Sequence, residues 1–344
     1  MKVSLYKSEA VFSDLREEWN ALLADSLADQ IFLTFEWQTC WWSAYQPGDL
    51  WVVVVRDEET NRVDGVAPWF IRTEDDGEVI VRAIGCVDVT DYLEVIARQG
   101  QEPAVFAALA DFLMDQMGPS GQQVDLVQLC NIPEESQTFA LMPSTFERKG
   151  LAVEIELQEV CPVVRLPETW PDYVASLDKK DRHELRRKLR RAGNGNGGVD
   201  WYVVGPDHNL EEEMARFLEL MAASSSEKAE FLQEPENVAF FRSVMPELAA
   251  QEWLQLAFLT VRNEPVAAYL NFEYANRVLV YNSGHNAADF GHLSPGIVLL
   301  GRLIEHAINN ERAEFDFLRG DEPYKYQMGG QNRSVYQLKI RLAA

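Results

Sequence analysis

Positive charge is scarce in this chain. Its 344 residues carry 31 lysines and arginines against 55 aspartates and glutamates, a net charge of −24. So acidic a surface argues against general binding to nucleic acid or an anionic membrane, and makes any local basic cluster informative. Long apolar runs are missing too. The stretch "LWVVVV" (Leu50 to Val55) is strand-length, whereas a membrane helix needs ~20 residues. The opening "MKVSLYKSEAVFSDLREEW" has no apolar core or small-residue cleavage site, so no secretory leader is expected. Cys40, Cys86, Cys130 and Cys161 lie far apart without metal-type spacing, and read as buried reduced thiols of a cytoplasmic protein. The 5 histidines form no H-E-x-x-H or Cys/His group, so no metal is expected. Also lacking are G-x-x-x-x-G-K-[ST], a G-x-G-x-x-G after the first strand, and a G-x-S-x-G elbow.

What the chain does have is an apolar content of 47% with 11% aromatics, ample for sizeable cores. Its length suits two domains or one large one. It also repeats itself. "IFLTFEWQTCWWSAY" parallels "EFLQEPENVAFFRSV", and "VVVVRDEETNRVDGVAPWFIR" parallels "LAFLTVRNEPVAAYLNFEY", with Val66-Ala67 opposite Val266-Ala267. "VFAALADFLMDQMGPSGQQVDLVQL" then parallels "IVLLGRLIEHAINNERAEFDFLRG", setting Asp125 opposite Asp316. The three blocks keep their order at a spacing of roughly 190–200 residues. Each half reads helix, helix, strand hairpin, helix, strand, which is a mixed α/β unit. The proline-rich passage through Pro162, Pro167 and Pro171 sets the boundary, giving domains 1–158 and 159–344. "AGNGNGGVD" (Ala192 to Asp200) is expected to be a flexible surface loop.

Three stretches carry chemistry. In "HNAADFGHLSPGIVLLGRLIEHA", Ser294 suits a helix N-cap and Pro295 the first helical position, while Gly296 leaves backbone amides open. Such a start can hold a phosphate, and an ordinary capped helix fits the same residues. The matching region of the first half lacks Ser-Pro-Gly, so if only one half kept a ligand site, it would be the second. His285 and His292 flank the same loop and can meet a substrate there. In "DKKDRHELRRKLRRAG", Arg182, Arg186 and Arg190 line one helix face, and Leu185 and Leu189 form a narrow apolar stripe. This face is either solvated and docked on the protein's own carboxylates or a clamp for the phosphates of a nucleotide, coenzyme or RNA. Finally, "EFDFLRGDEPYKYQMGG" begins as a strand with Phe315 and Phe317 toward the core and Asp316 opposite. It ends in Arg319, Asp321, Tyr324 and Lys325, as either a polar turn or a site.

Together "FDFLRGDEPYKYQMGG", "LSPGIVLL" and "KKDRHELRRKLRRA" resemble the GNAT-like acetyltransferases of the CelD type, associated with cellulose or exopolysaccharide biosynthesis. The tandem arrangement is similar to that of the Fem-type peptidyltransferases. The resemblance implies two GNAT-like domains, the first a degenerate copy. It further implies acyl transfer from acetyl-CoA or another acyl-CoA to an amine or hydroxyl, with a small-molecule or saccharide acceptor. Pantetheine would lie between "RVLVYNSG" and "EFDFLRG", beside Ser283, Gly284 and Arg319, with the pyrophosphate on Ser294, Pro295 and Gly296. The usual pyrophosphate loop is richer in glycine and basic residues than this one.

Local chemistry then nominates Asp316 or Asp321 as base, or as the group orienting the acceptor. Tyr324 would be the acid toward the leaving thiolate, and Arg319 and Lys325 would hold an anionic part of either substrate. Arg182, Arg186 and His285 would complete the substrate side. Two other readings compete: a Fem-like transferase drawing on aminoacyl-tRNA, the sole case in which nucleic acid is a partner, and a non-catalytic scaffold or small-molecule sensor.

Overall fold

Both halves contain the expected hairpins followed by a helical crossover. The computed structural model describes residues 1–86, 89–116, 124–193 and 198–342. The chain divides into two units, Met1–Val160 with Arg333–Ala344, and Cys161–Asn332.

The first unit runs β1 (Lys2–Tyr6), α1 (Ala10–Asp14), α2 (Arg16–Ala24), α3 (Phe35–Tyr45), β2 (Asp49–Leu50), β3 (Val52–Arg56), β4 (Val63–Ala67), β5 (Trp69–Thr73), β6 (Val79–Ala83), β7 (Ile96–Ala97), α4 (Glu102–Gln116), β8 (Leu126–Pro133), α5 (Gln137–Glu147) and the start of β9 (Ala152–Arg165). After the end of β9, the second unit runs α6 (Trp170–Ser176), α7 (Lys179–Gly193), β10 (Val199–Val203), α8 (Leu210–Ser224), α9 (Ser226–Phe231), α10 (Pro235–Ala250), β11 (Leu254–Val261), β12 (Glu264–Tyr274), β13 (Arg277–His285), α11 (Ala287–Phe290), α12 (Pro295–Asn309), β14 (Glu314–Asp316) and α13 (Pro323–Gln327). The closing strand β15 (Gln331–Arg341) pairs antiparallel with β8 and falls almost wholly in the first unit, whereas the sequence had assigned it to the second half.

In the first unit β1-β3-β4-β7 form one sheet, and β15-β8-β6-β5-β2 lie side by side in another. Fully buried Trp19, Trp37, Trp41, Trp51 and Trp69 anchor its core. Thr34 starts α3 by accepting the Trp37 N–H at 3.3 Å, which satisfies one of the amides left open by a helix start. The parallel β6–β8 ladder is short, covering Ile80–Leu126 and Val81–Val127. Beyond it, β8 is met by a buried segment of the same chain. The Leu93 N–H donates to the Asn131 carbonyl at 3.0 Å, and Asn131 Nδ2 donates to the Thr90 carbonyl at 2.8 Å. Turn and strand also meet at Cys86 and Cys130, whose Cα atoms are 6.0 Å apart and whose sulfurs form a disulfide. Cys40 and Cys161 alone are the buried free thiols expected. The 44-residue separation hid this pair, because parallel neighbours are brought together by the crossover and not by the sequence. Cys86 and Cys130 are therefore not the reduced thiols expected of them.

The same filler segment buries Glu94, with Thr138 N–H as its backbone hydrogen-bond partner; burial pushes its carboxyl up to about 8. In the unfolded chain it ionises near 4.5. As pH rises from the lower value to the higher, the unfolded state gives up a proton that the folded state retains, so stability falls across that window. Glu94→Gln is expected to flatten this slope and to stabilise the protein at pH 8 by about 3 kcal/mol, read from denaturant midpoints at pH 5 and pH 8. Equal pH slopes for variant and wild type would contradict a neutral Glu94.

The second unit orders its strands β10-β11-β12-β13-β14, with Cys161–Arg165 of β9 at the far side of β14. β10 to β13 are antiparallel, and α12 carries the chain across so that β14 joins β13 in parallel. Leu299, Leu300, Leu303 and Ile304 of α12 are fully buried against the sheet. Helix α7 forms as expected over the basic stretch, and Leu185 and Leu189 seat it on α12 at Gly301. A methyl built on Gly301 would lie 3.1 Å from Leu185 and 3.4 Å from Leu189. The loop expected over Ala192 to Asp200 is narrowed by α7 and β10, and its centre, 194–197, lies outside the described residues. Among the described residues no helix is long and apolar enough to cross a membrane.

Candidate functional site

The parallel ladder between β13 and β14 has three pairs, ending at Leu279–Asp316, while β13 continues to His285 paired with β12. A bulge gives β13 an extra residue, Tyr281, between the pairs Leu270–Asn282 and Asn271–Val280. Bulges bend and twist a strand, and this one lies just past the last rung shared with β14. On the other side the Phe317 N–H donates to the Pro162 carbonyl of β9 at 2.9 Å. Among the described residues no strand pairs with the tip of β13 on its β14 side. The Asn286 N–H bonds the Val266 carbonyl, so Gly284 faces β12 and the main-chain groups of Ser283 and His285 point off the sheet.

Against that edge lies a cavity of about 390 Å³. Ser283, Gly284 and His285 of β13 line it, together with Ser294, Pro295 and Gly296 at the start of α12. Tyr269 of β12 and Tyr324 of α13 close it. Ser294 is the N-cap and Pro295 the first helical residue, as the sequence suggested, but Ser294 is left-handed (φ 53°, ψ 55°) and its hydroxyl caps nothing. Pro295 has no N–H, and Val298 N–H bonds the Ser294 carbonyl at 3.0 Å. Among the described residues, none accepts a hydrogen bond from the amides of Gly296 and Ile297. Two open amides at the positive end of a 15-residue helix favour an anion.

Of the residues nominated from sequence, the structure gathers Ser283, Gly284, His285, Ser294, Pro295, Gly296 and Tyr324 around this cavity. The others lie elsewhere. Asp316 is fully buried, and its Oδ1 accepts the N–H of left-handed Leu318 at 2.8 Å, which braces the end of β14. It is as buried as Phe315 and Phe317, which point the other way, so both faces of the strand are covered at this point. Asp321 is exposed and Arg319 half-buried, and neither lines the cavity. Lys325, expected to meet an anion, is 2% exposed and holds its own loop. Its ammonium donates to the carbonyls of Leu318, Arg319 and Gly320 and pairs with Glu322 at 2.9 Å. Those contacts exhaust its three donors. The supposed polar turn is thus a short helix, α13, pinned from beneath by one lysine.

Arg182 and Arg186 also stay off the cavity wall, half-buried and exposed respectively. Among the described residues neither has an acidic partner; Arg187 pairs with Glu184 at 2.7 Å on the same helix. Arg191 at the far end donates to the His292 carbonyl, on the turn that brings Gly291 to the cavity. The basic helix therefore ends beside the cavity rim.

Two functional candidates escaped the sequence reading. Tyr269 sits in "VAAYLNF", which reads as plain core, and Lys228 sits in the polar run "SSSEKAEF". Lys228 Nζ donates to the outward carbonyl of Ser283, whose N–H is taken by Asn282 Oδ1 at 2.8 Å. Burial lowers Lys228 to about 8, with Glu322 opposing. Burial and the Lys228 charge lower His285 from its usual 6.5, so it is neutral at pH 7 and can accept a proton. Burial above all, then Tyr269 and Glu322, pushes Tyr324 well above the usual phenol range; burial alone does the same to Tyr269.

The profile of the Acetyltransferase (GNAT) domain family matches residues 179–326, which contain the whole cavity lining. No curated protein matches the chain in sequence. Among solved structures, that of FemX superposes with a TM-score of 0.66 at 11% identity, covering 98% of this chain and 97% of FemX. L-PGS from Bacillus licheniformis gives 0.56 at 12% identity over 95% of this chain and 92% of its own. A tandem GNAT protein from the clavulanic acid biosynthesis pathway gives 0.50 at 11% identity, covering 100% and 99%. At such identities the likeness is one of fold. Residues 179–326 thus match a GNAT acetyltransferase domain, and the chain as a whole has the mixed α/β fold of tandem GNAT proteins.

Proposed function

We propose that the second unit is an acyltransferase that moves an acyl group from a coenzyme A thioester to an amine or hydroxyl. The observation that carries this reading is the cavity between the unpaired tip of β13 and the two open amides of α12. An extended thioester arm can add to the strand edge as its pyrophosphate meets the helix start. Such a reaction needs positioning, a donor for the developing oxyanion and a route for the acceptor's proton. Neutral His285 is the titratable group on the cavity wall suited to take that proton, in place of buried Asp316 and exposed Asp321. No metal enters the scheme. What supports a saccharide acceptor is the resemblance of "FDFLRGDEPYKYQMGG" to CelD-type sequences.

Thermal-shift titration with coenzyme A and acetyl-CoA tests the reading. A rise in melting temperature that grows with ligand concentration is expected. With glucosamine as acceptor, thiol release should fall as pH drops through the lowered value of His285, and His285→Asn should reduce it by about 100-fold. Absence of any shift with either ligand overturns the thioester. A second reading, transfer from an aminoacyl-tRNA, is supported by the basic helix α7 ending at the cavity rim. Retention on immobilised tRNA that weakens steeply with salt would favour it.

A further inference from the structure

The carbonyl of Ser283 points off the open edge of β13, and the group that meets it is the ammonium of Lys228 from α9. Ser283 lines the cavity, so Lys228, though not itself among the lining residues, sits one hydrogen bond from the cavity wall, at the edge along which an arm would be laid. Glu322, just before α13, acts on Lys228 as an opposing charge, and His285 at the tip of β13 feels its positive charge. Tyr269 and Tyr324 face the cavity from β12 and α13, and Glu227 and Glu230 are exposed on α9 itself. We propose that Lys228 is the catalytic residue that protonates the sulfur leaving group of the thioester, a role that rests on the thioester reading above.

The step balances without any other reactant. The acceptor's lone pair attacks the thioester carbonyl carbon, the carbon–sulfur bond breaks, and the new bond to nitrogen or oxygen remains. The acceptor's proton passes to His285, and a proton from the Lys228 ammonium goes to the departing sulfur. Loss of the charge on Lys228 removes one of the two causes that lower His285, the larger one, burial, remaining in place. Burial still disfavours the imidazolium, so His285 hands its new proton back to the lysine and both groups are reset. Tyr324 fits the role poorly, because a donor is most effective when its affinity for the proton is close to that of the group it serves. A thiol ionises near 8.5, close to the value of about 8 for Lys228 and far from that of a buried phenol.

The test needs no acceptor. Coenzyme A carrying its free thiol is bound to the protein, binding is measured by calorimetry, and the bound thiol is titrated by thiolate ultraviolet absorbance. In the wild type the bound thiol should ionise about one pH unit lower than the free thiol, because a cation lies beside the sulfur. Lys228→Met should abolish that shift and Tyr324→Phe should preserve it. Failure of coenzyme A to bind overturns the thioester reading and this role with it. Binding with an unshifted thiol in the wild type, or an equal shift in Lys228→Met, overturns the role of Lys228 alone. Should Lys228→Met fail to fold, the wild-type titration still decides.

Discussion

Gly284→Ala is expected to destabilise the second unit by about 3–5 kcal/mol, enough to lower its denaturant midpoint severely or prevent folding. Gly284 is buried on β13, and α8 crosses it at backbone distance. A methyl built there would overlap the carbonyl carbon of Leu220 and the amide nitrogen of Met221, and would sit 2.6 Å from the Leu220 oxygen. Flexible side chains can yield to an added methyl, but these are helix backbone atoms held in the hydrogen-bond ladder of α8, so helix or strand must move. The sequence reading gave this glycine to the cofactor; its closer constraint is the helix behind it. A variant unfolding at the wild-type denaturant concentration would show that α8 is not packed this closely.

Gly296→Asp should have the opposite profile. The nearest atoms to a β-carbon built there are His285 Nδ1 and the Tyr269 hydroxyl oxygen, both at 4.0 Å, so a side chain fits without displacing backbone. Stability should therefore stay near that of the wild type. The new carboxylate, however, places a negative charge over the amides of Gly296 and Ile297 and can accept their hydrogen bonds itself. Coenzyme A should bind about 100-fold more weakly by calorimetry, while Gly296→Ala should lose far less. Wild-type affinity in Gly296→Asp would remove the helix start from the anion site.

These two glycines show where sequence reasoning works and where it stops. Local patterns identified the strand, the loop and the Ser-Pro-Gly helix start, because period-2 alternation, N-cap chemistry and proline at the first helical position act within a few residues. Seven of the nominated residues consequently meet at one cavity. What local pattern could not supply is what lies across from each residue. Asp316 and Lys325 look reactive in a linear reading, yet one braces Leu318 and the other ties three carbonyls of its own loop. Lys228 looks like an ordinary surface lysine in "SSSEKAEF" until α9 sets it on a strand more than fifty positions away, at Ser283. The Cys86–Cys130 pair is hidden for the same reason. The repeat, by contrast, was visible because both halves use the same crossover. The segment holding Thr90 and Leu93, which bonds to Asn131 of β8 in the first unit, was not signalled by composition.

The membership of β15 bears on how this chain comes off the ribosome. Residues 333–341 are made after the whole second unit, yet they are the strand that flanks β8 in the unit whose other parts precede it. Until they emerge, β8 keeps a bare row of main-chain donors and acceptors, the kind of edge that invites mispairing. The first unit therefore stays without its β15 neighbour, and its β8 edge stays unpaired on that side, while the whole second unit is translated.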